Sequence, residues 1–418
     1  MINRRTFTGL VAGTLAATGK SFAQTARGKT VFYANLGPEL SLYDVDADAA
    51  TLTRRSSVML PAGVQYAWPH PSKRFFYVAS SNGQPGGGAA NQGNKHFANA
   101  FRIDPATGAL TPHGQPLTLD SRPIHISVDG AGGFAMIAYN EPSHVTVHRI
   151  NADGTFGALV QQRSKPDVGI YSHQIRTTPS NKTVILVCRG NNPDGGKGED
   201  PGSLKVFGLN DGQLANLASY APGNGYGFGP RHLDFHPTLP FVYVSLERQN
   251  KLYTYALQAD GTLSRDPLFM KDSLGEPNNR RPGQGAGTIH VHPNGRFVYQ
   301  ANRNSNLVDF QGKKIFAGGE NNMAVWSIDQ KTGEPTLIQN ADGHANQLRT
   351  FGSDPSGRML VAASVNPILM REGNTVSNLS AGLTVYRIGA DGKLTFARKY
   401  DVDTSKGTQF WSGMVSLG

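Results

Sequence analysis

Cysteine is almost absent from this 418-residue chain: Cys188 stands alone. No intramolecular disulfide can form, and no CxxC redox or metal motif exists. Cys188 ends the apolar run Val184-Ile185-Leu186-Val187-Cys188 and reads as a buried small hydrophobe, not a nucleophile. Charge is scarce too, at 17% of the residues. A disordered chain would carry more charge and fewer aromatics than the 20 Phe, 14 Tyr and 3 Trp present. No long Lys/Arg run exists, which argues against a nucleic-acid groove. No apolar run approaches the roughly 20 residues that span a bilayer. The 50 Gly and 25 Pro lack the Gly-X-Y period of collagen. Helical periodicity is nearly missing as well.

What is present starts with an export pattern. Residues 1–23 hold Arg4-Arg5, then Phe7, an apolar stretch from Leu10 to Ala17, and Ser21-Phe22-Ala23. A basic start, a short apolar region and a small-x-small cleavage site make a signal peptide, and the paired arginines resemble the twin-arginine type. The expectation is a mature chain from near Gln24, folded before export to a bacterial periplasm. Removing Arg4, Arg5 and Lys20 leaves 37 basic against 30 acidic residues, a net charge of +7. That surplus suits an anionic small-molecule partner.

One pattern recurs along residues 24–418. A turn followed by an apolar strand appears as HPSKRFFYVAS from His70, VDGAGGFAMIAYN from Val128 and TPSNKTVILVC from Thr178. It returns as HPTLPFVYVSLE from His236, HPNGRFVYQANR from His292 and DPSGRMLVAAS from Asp354, with KTVFYANL from Lys29 as a seventh, truncated copy. A following strand also recurs seven times, from LSLYDVDADAATL at Leu40 to LTVYRIGADGKL at Leu383. The turn positions Pro71, Gly130, Pro179, Pro237, Pro293 and Pro355 are spaced by 59, 49, 58, 56 and 62 residues. About four short strands per repeat is the signature of a propeller blade. The sequence therefore predicts an all-β protein: one seven-bladed β-propeller of four-stranded antiparallel blades around a central channel. The first copy lacks its leading strand, so strands from both chain ends are expected to close the ring.

Strand direction then sorts the polar residues. Starts of first strands and ends of second strands share one face. The starts carry Tyr66, His125, His173, Arg231, His232 and Arg349; the ends carry Asn140, Glu141, Glu247, Asn302, Arg303 and Asn366. Long loops at 81–98, 189–202, 304–321 and 366–381 belong to the same face. A His-, Arg- and Glu-rich mouth with long loops is a candidate small-molecule site. The turn histidines His70, His236 and His292 fall on the other face and read as turn-stabilising. His290 is expected to pack inside its blade.

The sequence resembles the seven-bladed propeller lactonases, which include the bacterial propeller-type 6-phosphogluconolactonase and the fungal 3-carboxy-cis,cis-muconate lactonizing enzyme. The residues that carry the resemblance are Gly229-Pro230-Arg231-His232-Leu-Asp-Phe-His236-Pro237, Ile289-His290-Val-His292-Pro293, Ala301-Asn302-Arg303 and Asp354-Pro-Ser-Gly-Arg358. Position by position, the resemblance implies a catalytic set of His173, Arg231, Glu247 and Arg303.

Lactone hydrolysis needs a base for water, a donor for the oxyanion and an acid for the leaving hydroxyl. Glu247 is expected as base and His173 as acid or oxyanion donor. Arg231 and Arg303 would grip a substrate carboxylate or phosphate. Arg349, His232, His125 and Tyr66 are expected to bind substrate. A metal site would need several acids converging on a cation, and the candidate set is basic, so neither metal nor cofactor is expected. Two alternatives stay open: a lactonizing isomerase acting on a muconate-like carboxylate, and a non-catalytic periplasmic propeller that binds a ligand or partner.

Overall fold

The computed structural model describes residues 28–85 and 91–418. The export pattern at residues 1–23 lies outside them. Seven antiparallel blades follow one another around a ring, each of four strands, except that in blade 2 the outer strand is split into Leu110–Pro112 and Leu117–Thr118. Apart from short 3₁₀ turns such as Pro222–Gly225 and Pro277–Asn279, the described regular structure is strand. No helix among the described residues is long and apolar enough to cross a membrane.

Ring closure follows the sequence expectation. Blade 1 takes Thr30–Leu36, Glu39–Asp46 and Thr51–Met59 from one end of the chain and Ser412–Ser416 from the other. Val31 pairs with Val415 across that seam. Asn35 Oδ1 accepts from the backbone N–H groups of Phe410 and Trp411, at 3.0 and 2.7 Å. Blades 2 to 7 open with first strands Gly63–Pro69, Pro123–Val128, Ser172–Thr177, Pro230–Phe235, Gly285–Val291 and Leu348–Ser353. Most of these strands pack against their counterparts in adjacent blades, so they line the channel.

Second strands explain the apolar runs. Phe75–Ser81 and Phe297–Arg303 are buried at every position. Each sits mid-sheet with blades on both sides, so both faces must be apolar or internally bonded. Outer strands such as Thr51–Met59 are mostly exposed.

Two recurrent hydrogen bonds fasten neighbouring blades. The second-strand tyrosines Tyr33, Tyr77, Tyr243 and Tyr299 donate their hydroxyls to Gly108, Gly154, Gly333 and Gly392 of the next blade, at 2.6 to 3.0 Å. The turn histidines act in parallel. Nε2 of His70, His236 and His292 lies 3.0, 2.7 and 2.9 Å from the carbonyl oxygens of Gly132, Gly295 and Gly357, again one blade on. Gly295 has a φ of +71°, and a Cβ there would sit 2.5 Å from the His236 ring, so conformation and space both require glycine. These histidines hold the turns together, as expected. Cys188 is fully buried, and burial pushes its thiol up to about 12.

Candidate active site

One irregularity repeats around the channel. In blades 2 to 7 the first strand slips register against the second near its start. The inserted residue is Gln65 in blade 2, Ile124 in blade 3, His173 in blade 4, Arg231 in blade 5 and Arg349 in blade 7. A β-bulge re-aims side chains. Here the inserted residue and its follower both reach the channel: Gln65 with Tyr66, Arg231 with His232, Arg349 with Thr350. Two stacked layers result.

The upper layer borders a cavity of about 590 Å³ at the mouth formed by first-strand starts and second-strand ends. His173, Arg231 and Arg349 reach it from the bulges. Arg189, Glu247 and Arg303 reach it from matching positions at the ends of the second strands of blades 4, 5 and 6. With Arg248 and Arg280 the cavity has six arginines and one acid, Glu247.

That acid is held tightly. Arg303 Nη2 donates to Glu247 Oε1. Arg189 Nη1 lies 3.3 Å from Oε2, and Arg231 Nε lies 3.5 Å from Oε1. Burial alone would raise the Glu247 carboxyl, but Arg303, Arg189 and Arg231 outweigh it and hold the group well below the usual carboxylate range. Glu247 is thus an ionised anchor for three guanidiniums, and a weakened proton acceptor.

His173 is in the opposite condition. Burial first, then the Arg231 charge, keeps its imidazole well below the ordinary histidine value. Neutral at pH 7, it has an Nδ1 without a hydrogen-bond partner among the described residues. Its ring meets His232 edge to face, with centroids 4.8 Å apart.

The arginines differ among themselves. Arg231 is buried and donates from Nη1 to His232 Nδ1 at 2.6 Å. Burial, then Arg303, lowers it to about 9, which leaves it protonated at neutral pH. Arg349 is pushed well below arginine's ordinary value by burial, then by Arg231 and Arg303. It lies over the Phe410 ring at 3.5 Å and makes no salt bridge with any described acid. Its positive charge is the least compensated among the largely buried arginines of the cavity wall.

The lower layer is the neck of the channel. Tyr66 and His232 border a space of about 10 Å³ beneath the cavity, and Tyr66 also borders a separate cavity at the opposite mouth. His125 is fully buried, with its ring 4.1 Å from that of Tyr66. The structure therefore brings His173, Glu247, Arg231, Arg303 and Arg349 together around one cavity and sets His125, His232 and Tyr66 below its floor. His290 departs from expectation: it does not pack inside its blade but stands half-buried at the opposite mouth, 3.5 Å from Asp234.

Sequence reasoning missed Arg189, Tyr171 and Gln347, all of which border the cavity. Arg189 had a signal, since it follows a second strand as Glu247 does. Gln347 had none, because it precedes a first strand in a segment with no recurring pattern, and the one signal at Tyr171 is that the resembling family carries a histidine there. Among the described residues no group of three or more His, Cys, Asp or Glu converges as a metal-ligand set.

A seven-bladed propeller with an arginine-rich, single-acid cavity at one mouth is the class of protein that fold and site define. The model of the lactonase, 7-bladed beta-propeller family matches residues 25–367, and the chain belongs to that family. A 6-phosphogluconolactonase of Yersinia pestis is 25% identical over 366 residues, which is 87% of this chain and 92% of the relative. A 6-phosphogluconolactonase of Bacillus subtilis is 28% identical over 274 residues, 63% of this chain and 69% of the relative. The solved periplasmic gluconolactonase of Pseudomonas aeruginosa aligns with a TM-score of 0.68 at 18% identity, over 93% of this chain and 99% of that one. At that identity the likeness concerns the fold. Family and relatives together identify a lactonase, a carboxylic ester hydrolase, as the resemblance implied.

Proposed function

We propose that the cavity hydrolyses an anionic sugar-acid lactone, with the phosphorylated or carboxylated end of the substrate held by Arg349. The observation that carries this reading is the charge of the wall: Glu247 is shared among Arg189, Arg231 and Arg303, Arg248 pairs with Glu199, Arg280 is exposed, and Arg349 is largely buried with no salt bridge to a described acid. Burying like charges without counter-ions is costly. An incoming phosphate or carboxylate relieves that cost, and a guanidinium can bind it in bidentate fashion. The names of the relatives support a sugar-acid lactone.

The chemistry follows from protonation states. His173, neutral at pH 7, accepts a proton from water as the water oxygen bonds to the lactone carbonyl carbon. Arg231 and Arg303 stabilise the oxyanion that develops on the carbonyl oxygen. As the ring C–O bond breaks, the proton on His173 passes to the leaving alkoxide. The product is an open-chain hydroxy acid, whose carboxyl proton goes to solvent. Glu247 positions the arginines. This revises the sequence expectation, in which Glu247 was the base and His173 the acid: Glu247 is committed to three guanidiniums, whereas His173, though burial and Arg231 weaken it as a base, is unprotonated at pH 7 and carries no ion pair to a described acid.

The site of action we propose is the bacterial periplasm. Arg4-Arg5 and Ser21-Phe22-Ala23 support this, as does the start of the family match at residue 25. No metal or cofactor enters the proposed steps.

A proton-release assay on the purified protein with 6-phosphogluconolactone and glucono-δ-lactone tests the reading. Hydrolysis above the spontaneous rate is expected, with His173→Asn slower by roughly 10²- to 10⁴-fold. A wild-type protein inert toward both lactones, or a His173→Asn variant of full activity, would refute it.

A further inference from the structure

Among the described residues ten other than glycine have a left-handed backbone, and two of them, Tyr171 and Gln347, border the cavity. The two are equivalent by register. Tyr171 precedes Ser172, which pairs with Cys188, and Gln347 precedes Leu348, which pairs with Ser364. In blade 5 the same place before the Pro230–Leu246 pair is taken by Gly229, with a φ of +49°. In blades 4, 5 and 7 the backbone is therefore left-handed at this place, and glycine is the residue that adopts it without strain. Blades 4 and 7 keep a tyrosine at φ +58° and a glutamine at φ +55° instead. Both are clamped by a side chain that accepts from their backbone N–H: Ser143 Oγ at 2.6 Å for Tyr171, Asn321 Oδ1 at 2.8 Å for Gln347. Strain that surroundings over-determine in this way gathers at functional sites.

Their polar groups have little to do within the protein. The Tyr171 hydroxyl makes no hydrogen bond to a described residue, although Arg189 covers its ring at 3.8 Å. Gln347 Nε2 makes one long bond, 3.3 Å, to Ser305 Oγ. By contrast Gln284 and Asn304 in the same wall are fully engaged with backbone groups.

We infer that Tyr171 and Gln347 are specificity residues that hydrogen-bond the ring hydroxyls of the substrate, while the arginines take its anion. This rests on the lactonase reading above. A site built to bond hydroxyls discriminates against a ligand without them.

The test compares glucono-δ-lactone with δ-valerolactone, which has no hydroxyls, in the wild type, Tyr171→Phe and Gln347→Gly. The ratio of kcat/KM for the two lactones should fall roughly 3- to 10-fold in each variant, the size of one neutral hydrogen bond. The thermal midpoint of Gln347→Gly should be unchanged or higher, since strain is released. Equal losses on both lactones, or an unchanged ratio, overturn the inference. If the wild type hydrolyses neither lactone, the function reading fails separately. Calorimetric titration with 6-phosphogluconate then decides: weaker binding by both variants upholds the inference, while equal binding, or none by the wild type, overturns it.

Discussion

At the scale of residues the site is a problem of unbalanced charge. Glu247 is a shared counter-ion for Arg189, Arg231 and Arg303. Glu247→Gln keeps the shape and leaves three guanidiniums facing one another. Removing one partner of a buried pair costs about 3–5 kcal/mol. Chemical denaturation should show a loss of that order, accompanied by lower activity; a variant as stable as the wild type would mean that the arginines do not depend on this carboxylate. The histidines set the pH behaviour. Burial holds His125, His173 and His232 well below the ordinary histidine value, so all three are neutral in the folded state at pH 7. A group with a depressed folded pKa binds fewer protons folded than unfolded. Once pH drops below the unfolded value of about 6.5, unfolding takes up protons and stability falls. Each histidine contributes up to about 1.4 kcal/mol per pH unit in that window. The depressed Glu247 adds its own loss lower down, below about pH 4.3, where its unfolded form protonates. Urea midpoints measured between pH 7.5 and 5 should fall with a multi-proton slope; a flat profile across pH 6.5 would contradict the buried neutral histidines. Activity should persist below pH 6.5, because protonation of His173 in the folded protein is displaced downward.

At the scale of elements, blades are joined by small repeated contacts in addition to apolar packing. Tyr33, Tyr77, Tyr243 and Tyr299 each end on a glycine carbonyl of the next blade. Tyr243→Phe removes the donor to Gly333 and leaves that carbonyl without it. The expected cost is about 1–2 kcal/mol, visible as a lower denaturation midpoint with unchanged lactone selectivity. No change in midpoint would mean that water substitutes fully. These elements were also the most legible in the sequence. FVYV-type runs, His-Pro turns and Gly/Asp turns recur because every blade repeats the same burial and several repeat the same staples. The truncated first copy foretold closure by the 412–416 strand for the same reason. The bulges were not legible. A strand pattern encodes which face a side chain takes, but a one-residue slip puts two successive residues on one side without altering composition. Hence Arg231 and His232 read as one layer in the sequence and form two in space. The same slip set Tyr66 and His125 into the neck. Partner choice was hidden as well: nothing in the spacing of Arg231, Arg303 and Arg349 tells which two are tied to Glu247 and which stands apart.

At the scale of the whole molecule, the propeller is a ring of similar blades whose chemistry is concentrated on one side. Blades 4 to 7 supply His173, Arg189, Arg231, Glu247, Arg303 and Arg349, while blades 2 and 3 present Gln65 and Ile124 at the bulge positions. Hairpins Leu307–Phe310/Lys313–Phe316 and Ile368–Glu372/Thr375–Leu379 grow from the second-to-third strand connections of blades 6 and 7, on the same charged side. The narrow neck separates this mouth from the opposite one, so the proposed site opens to solvent on the charged face. The account stands or falls on whether that face selects an anion through Arg349. The direct measurement is the ratio of kcat/KM for 6-phosphogluconolactone to that for uncharged glucono-δ-lactone, in the wild type and in Arg349→Met. A charge-assisted hydrogen-bond pair to a guanidinium is worth about 1.5–3 kcal/mol, or roughly 10- to 150-fold. The ratio should favour the phosphorylated lactone in the wild type and fall by about that factor in Arg349→Met. A wild type that prefers the uncharged lactone, or a variant with an undiminished ratio, would contradict the account.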